Sequence, residues 1–186
     1  TRTFSVGEDR LCVGDRSIVT CFDDTPIYSI AEEHLSSLVP QTEVLLGART
    51  VYVHTGATVY AWGEGSYGKA GSADAWVTPP HTINLNGNTK QMAVAHNAAC
   101  FLLWTGEVKC IGKAELIGYG DTVDRGADSS ALPSVELGMT PVKLFGGAHS
   151  GGFCALGDQG ELKCWGRYTI VPDGSYENQW IGDEAD

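Results

Sequence analysis

The chain has 186 residues, 42% of them hydrophobic, with 24 glycines, 5 tryptophans and 7 tyrosines. That composition supports one sizeable core built from many short strands and tight turns. Its 12 basic and 23 acidic residues leave a net charge of −11, which opposes binding to nucleic acid or to an anionic bilayer. No apolar run approaches the roughly 18–20 residues of a membrane span. The chain begins at Thr1 with no signal-like apolar stretch, as expected of a processed or excerpted chain.

Taken in order, the chain divides into four units, at about 1–40, 41–89, 90–140 and 141–186. In the first, Thr3 to Val6 reads as an inner strand and Leu11 to Phe22, LCVGDRSIVTCF, as a hairpin. Asp23 follows where a glycine is expected. Ile30, Leu35 and Leu38 then have the spacing of a short surface helix, with His34 solvated on it. In the second unit, Val44-Leu45-Leu46 is a strand-length apolar run and Thr50 to Gly63, TVYVHTGATVYAWG, a hairpin. Glu64 to Gly71 is a glycine-rich loop whose spacing matches neither phosphate-binding motif. Pro79-Pro80 leads into an alternating segment, Ile83-Asn84-Leu85, read as a proline-led outer strand.

The third unit repeats the plan: an inner strand at Met92 to Ala95 and a hairpin at Ala98 to Gly112, AACFLLWTGEVKCIG. A long polar loop, Gly118 to Gly126, and a proline-led strand, Leu132 to Gly138, complete it. The fourth has Val142 to Phe145, then a hairpin in HSGGFCALGDQGELKCWG, 149–166, whose turn glycines take φ > 0 at no steric cost. An irregular tail follows, with Tyr168, Tyr176 and Trp180 and an acidic end. A lone hairpin is not stable, so recurrence at this period implies a repeat architecture. An inner strand, a hairpin and an outer strand make a four-stranded antiparallel blade. Blades in series predict an all-β propeller-type array of about four blades in a single domain, 1–186.

The six cysteines fall into three pairs, Cys12 with Cys21, Cys100 with Cys110, and Cys154 with Cys164. The second unit lacks both partners together, with Val51 and Ala61 at the expected places. Paired loss fits sulfurs bonded across adjacent strands, whose Cα atoms lie roughly 4.5–5.5 Å apart. Buried free thiols are the second reading. Zinc is the third, and it lacks a C-x-x-C and further ligands. Disulfides imply an oxidising compartment.

The stretches FCALGDQGELKCWG, YAWGEGSYGKAG and IGYGDTVDRG…ALPSVELG resemble repeats of the regulator of chromosome condensation family. In its repeat an apolar strand is followed by H-x-x-A-L, a D-G turn, V-x-x-W-G and a glycine-rich loop. His149, Ala155-Leu156, Gly160, Trp165 and Gly166 fit that frame in the fourth unit, and Trp62, Gly63 and Gly71 in the second. The resemblance implies a propeller, open or partial here relative to the family's seven blades. It assigns Trp62, Gly63, Gly112, Trp165 and Gly166 structural roles. It also implies that His96 and His149, just before their hairpins, close turns by hydrogen bonding.

No G-x-S-x-G elbow and no leftover cysteine offers a nucleophile, so the chain is read as non-enzymatic, with no cofactor. Asp121, Asp124 and Asp128 share a loop and are conceivable hard-cation ligands, although their spacing is not that of an EF-hand. No N-x-[ST] sequon exists, which disfavours a heavily N-glycosylated secreted protein. The expectation is a protein-binding or scaffold module, an accessory or linker subunit of a multi-subunit complex. Its compartment would be a thylakoid or endoplasmic reticulum lumen, the periplasm or the extracellular space. The alternatives are a free regulator or inhibitor docking a propeller face on an enzyme or GTPase, and a metal-dependent enzyme using Asp121 and Asp124.

Overall fold

The computed structural model describes residues 3–6, 11–14, 19–22, 43–56, 58–147, 150–167, 169–170 and 176–177. The helix expected at Ile30 to Leu38, Asp23, His149 and the tail aromatics Tyr168 and Trp180 lie outside these residues.

Strands follow one another as antiparallel neighbours in chain order. The first sheet is β1 (Thr3–Val6), β2 (Leu11–Gly14) and β3 (Val19–Phe22). The second is β4 (Glu43–Leu46), β5 (Thr50–His54), β6 (Val59–Glu64) and β7 (Trp76–Ile83). The third is β8 (Thr89–Ala95), β9 (Ala98–Leu103) and β10 (Val108–Gly112), and a one-turn helix, α1 (Ala114–Ile117), follows it. The fourth is β11 (Pro141–Phe145), β12 (Gly152–Gly157) and β13 (Leu162–Gly166). A two-residue ribbon, β14 (Thr169–Ile170) with β15 (Tyr176–Glu177), comes last. The chain is an all-β, partial array of propeller-type blades.

The register corrects one sequence assignment. Cys12 lies opposite Cys21, Cys100 opposite Cys110 and Cys154 opposite Cys164. In the second sheet the pair at that place is Tyr52 and Ala61, while Val51 faces Trp62. Tyr52 and Ala61 are nine residues apart, where each of the cysteine pairs of the third and fourth sheets is ten apart, so counting ten back from Ala61 lands one residue early. The paired cysteines are thus replaced by a large residue against a small one. Tyr52 is buried, and its hydroxyl donates to the Lys69 carbonyl at 2.6 Å.

Cys100–Cys110 and Cys154–Cys164 are bonded, with Cα atoms 4.1 and 3.9 Å apart. A loop of this length limits each bridge to about 2–3 kcal/mol. Replacing both Cys100 and Cys110 by Ala is expected to lower Tm by roughly 5–10 °C. Iodoacetamide labelling of the unreduced, denatured chain should find no thiol at these positions; stoichiometric labelling there would refute the bonds.

Each inner sheet is buried on both faces. Ala98, Cys100 and Leu102 of β9 join Leu144, Phe153, Ala155 and Trp165 of the fourth sheet in one cluster. The alternate residues Ala99, Phe101 and Leu103 join Tyr52, Val59, Ala61 and Ile83 of the second sheet in another. Side chains alternate across a strand, so a strand stacked between two sheets has no polar face. That is why β9 reads AACFLL without alternation.

The final glycine of each hairpin has a mechanical reason. Gly63, Gly112 and Gly166 adopt φ of 103°, 120° and 124°. A Cβ there would strike the carbonyl oxygen of Arg49, Asn97 or Gly151 respectively. Those carbonyls accept the next residue's N–H, from Glu64 at 2.9 Å, Lys113 at 3.0 Å and Arg167 at 2.8 Å. Each hairpin mouth is closed the same way.

Two further expectations change. His96 aligns by register with Ser150 and Ala48, each two residues before its hairpin strand. Its contribution is made by the backbone: its N–H donates to the Ser150 carbonyl at 3.3 Å, and its carbonyl accepts from Ala48 N–H at 3.1 Å. The three positions thus stitch the second, third and fourth sheets together, while the His96 side chain is exposed. The outer segment of the third sheet, Leu132 to Gly138, forms no regular strand. Pro133 has no N–H to give a ladder, and the one backbone bond to β10 runs from Val135 N–H to the Val108 carbonyl at 2.7 Å. Leu132, Val135 and Leu137 are nevertheless buried.

Candidate protein-binding surface

The hairpins place their mouths, and the loops that leave them, at one end of the array. The loop after β6 sets the geometry there. Gly65 N–H donates to the Ala75 carbonyl at 2.9 Å, and Gly68 N–H to the Gly65 carbonyl at 2.9 Å. Between them, Tyr67 is held at φ 65°, a left-handed conformation unusual for a bulky residue. Its ring is 42% exposed, with the Lys113 ammonium 5.7 Å from the centroid. Trp76, opposite Glu64 at the start of β7, is 40% exposed and carries the Arg49 guanidinium at 5.7 Å.

Lys69 anchors this loop. Its side chain is buried, and Nζ donates to the Ala48 carbonyl and to Asn97 Oδ1, both at 3.0 Å. Glu64 Oε2 lies 3.4 Å away. Burial pushes the Lys69 ammonium below its ordinary value, and the Glu64 carboxylate acts in the opposite direction. The partners come from the second and third sheets, so one side chain ties the Tyr67 loop to both. Neither Lys69 nor Tyr67 stood out in the sequence; the only signal was their place among three glycines in EGSYGKAG.

The loop packs against the long polar loop of the third unit. Ser72 bridges to Asp128, and Arg125 to Gly112. The three candidate cation ligands serve this second loop separately. Asp121 receives both Arg125 guanidinium nitrogens, at 2.8 and 2.5 Å, and the Val123 N–H at 2.9 Å. That arginine holds the Asp121 carboxyl down to about 2. Asp124 accepts the Ala114 N–H at 2.8 Å, and Asp128 accepts the Ser130 N–H and hydroxyl. Among the described residues no three His, Cys, Asp or Glu side chains converge on a point where a cation could sit.

Arg125 also stacks on Tyr119, 4.4 Å from the ring centroid. The Tyr119 phenol donates to the Pro133 and Cys110 carbonyls and accepts the Cys110 N–H. Burial pushes it up to about 12. This end of the array therefore presents two exposed aromatics and the exposed Val123, set among cations already braced by carboxylates or rings.

Other places offer less. His54 is buried, with Nε2 3.0 Å from the Thr89 carbonyl, and burial pushes its imidazole down. The inner strands β4, β8 and β11 line an open groove of about 390 Å³ with Glu43, Gln91 and Lys143 along it. There the Gln91 amide is committed to both backbone groups of Leu144, at 2.9 and 2.8 Å.

No protein-family model and no curated protein matches the chain. Solved structures do. Human WBSCR16 superposes with a TM-score of 0.72 at 16% identity, over 97% of this chain and 50% of that protein. Yeast RCC1 (Prp20), solved with Kap60 bound, gives 0.67 at 14% identity, over 98% and 48%. The ectodomain of the Physcomitrella patens receptor kinase CR4 gives 0.55 at 19% identity, over 91% and 42%. The chain has an RCC1-like propeller fold and spans about half the length of the structures it matches.

Proposed function

We propose that the chain is a non-enzymatic protein-binding module, an accessory or linker subunit of a larger assembly in an oxidising compartment. The observation that carries this reading is Tyr67: an exposed aromatic held in a left-handed backbone conformation on a loop anchored by a buried lysine. Such a conformation costs of order 1 kcal/mol and persists where the surroundings enforce it, which is common at functional sites. Exposed Tyr and Trp beside Arg are the residue types that dominate binding energy at interfaces. Trp76 with Arg49 supplies a second such point where that loop enters β7. The bonded pairs Cys100–Cys110 and Cys154–Cys164 support the compartment. One matched solved structure, that of Saccharomyces cerevisiae Prp20p, describes binding to Gsp1p and histones. Its partners are proteins, and the −11 charge here favours basic protein surfaces over nucleic acid.

The test compares Tyr67→Gly and Trp76→Ala with the parent in isolation from the native source, followed by affinity measurement with the recovered partner. Glycine relieves the backbone strain at 67, so this variant should fold at least as stably as the parent. It should nevertheless bind at least tenfold more weakly. A partner held as tightly by both variants as by the parent would sink the assignment. Recovery of the chain free of any complex would move the reading to a free regulator.

A further inference from the structure

Five described cations stand at the hairpin-mouth end of the array, and four of them already have a carboxylate. Lys113 Nζ lies 2.7 Å from Glu115 Oε1, and Arg167 lies 3.6 Å from the same oxygen. Asp121 takes Arg125, and Glu64 takes Lys69 at 3.4 Å. Arg49 is the exception. Its side chain is exposed, and among the described residues it forms no ion pair and no side-chain hydrogen bond. The Trp76 ring sits 5.7 Å from its guanidinium. Glu64, whose N–H donates to the Arg49 carbonyl, is no substitute, because its Oε1 accepts the Ser66 hydroxyl at 2.9 Å and its Oε2 faces Lys69.

The backbone that carries Arg49 is fixed. It occupies the turn between β4 and β5, which Gly47 N–H closes on the Thr50 carbonyl at 2.9 Å. Ala48 N–H donates to the His96 carbonyl at 3.1 Å, and the Ala48 carbonyl accepts Lys69 Nζ at 3.0 Å. Arg49 itself sits at φ 56°; it and Tyr67 are two of the three described non-glycine residues at positive φ. Such conformations persist where the surroundings enforce them, and they cluster at functional sites. At the same place in the next two hairpins, Asn97 turns its side chain to Lys69 and Gly151 has none. Only the second sheet puts a cation there.

We infer that Arg49, beside Trp76, receives one carboxylate, the side chain of an Asp or Glu on an otherwise basic partner protein. This rests on the protein-binding reading of the same surface and adds what the partner must carry. An arginine can hold a carboxylate through two parallel N–H···O bonds while an aromatic ring lies against it. The −11 charge repels a polyanionic partner and steers a basic one, and that field is screened beyond about 8 Å at physiological ionic strength. One short-range pair then fixes the register of what has been steered in.

Random peptides displayed on phage and selected on the immobilised chain supply the probe. The sequences recovered should share an Asp or Glu at a fixed place in a basic stretch. Synthesised with an amidated C-terminus, such a peptide should bind roughly fivefold more tightly than its Asn or Gln counterpart. It should also shift the Trp76 indole N–H resonance. Arg49→Gln should keep the parent's urea midpoint and bind the two peptides alike. The exchange of carboxylate for amide is made in the peptide, so that comparison does not depend on the folding of any variant. An empty selection, or peptides with no fixed carboxylate, overturns the inference. So does a carboxylate preference that survives in Arg49→Gln. Basic peptides that lose affinity for Tyr67→Gly yet ignore the carboxylate would leave the protein-binding reading standing and remove only the role of Arg49.

Discussion

Trp165→Ala is expected to lower stability by about 3–5 kcal/mol, the range for deleting a fully buried large side chain. Trp165 is 2% exposed and sits in the cluster shared by the third and fourth sheets. Its ring lies 6.0 Å from Phe153 at a 33° tilt. Gly118, the residue that ends α1 at φ 74°, presses so closely on the indole that a Cβ there would collide with it. The void left by alanine is therefore bounded by a strand pair, a helix end and an adjacent sheet, none free to collapse inward. For a chain of this size the loss corresponds to a Tm drop of roughly 6–20 °C. The indole N–H is buried without a hydrogen-bond partner among the described residues. Trp165→Phe removes that uncompensated donor along with some packing, so it should cost far less, about 1 kcal/mol. Urea denaturation of the two variants separates packing from polar contributions. Equal losses, or an alanine variant that melts like the parent, would show that Trp165 is not seated between the sheets.

The hairpins were legible because their markers are covalent or steric. Opposed cysteines fix which residues face each other, and the glycine that closes the hairpin's second strand is demanded by a carbonyl at Asn97 or Arg49. Where those markers were missing, spacing misled: one residue fewer between the paired positions of β5 and β6 moves the pair from Val51 to Tyr52. The proline-led segments looked alike, but their neighbours differ. Pro79 and Pro80 lie in β7 beside a break in the ladder between Ala61 and Gly63, and the strand persists. Leu132 to Leu137 has one bond to β10 and stays irregular. The surface was least legible. A lysine among glycines reads as solvated, and nothing local announces that Asn97, 28 residues on, will receive its ammonium. A tyrosine's left-handed backbone is likewise set by its loop's tertiary contacts, not by its own propensity.

Lys69→Met should show how far that loop depends on its anchor. Methionine keeps much of the volume but returns no donor to the Ala48 carbonyl or to Asn97 Oδ1. Unsatisfied buried acceptors cost about 1–3 kcal/mol each, and removing one partner of a buried ionic contact costs more than the pair was worth. Glu64 is part-exposed and can turn to water, which limits its share. A total loss of about 2–4 kcal/mol is expected, well above the 0–1 kcal/mol of an exposed pair such as Arg125–Asp121. The two contacts should also differ in salt. Raising ionic strength weakens the exposed pair and leaves the buried one nearly unchanged. A double-mutant cycle of Lys69→Met with Asn97→Ala should return a coupling of roughly 1 kcal/mol or more. The loop carries Tyr67, so Lys69→Met should weaken partner binding together with stability, whereas Tyr67→Gly weakens binding alone. A Lys69→Met chain with the parent's urea midpoint and the parent's affinity would mean that the loop holds its shape without the lysine, and that the buried ammonium anchors nothing.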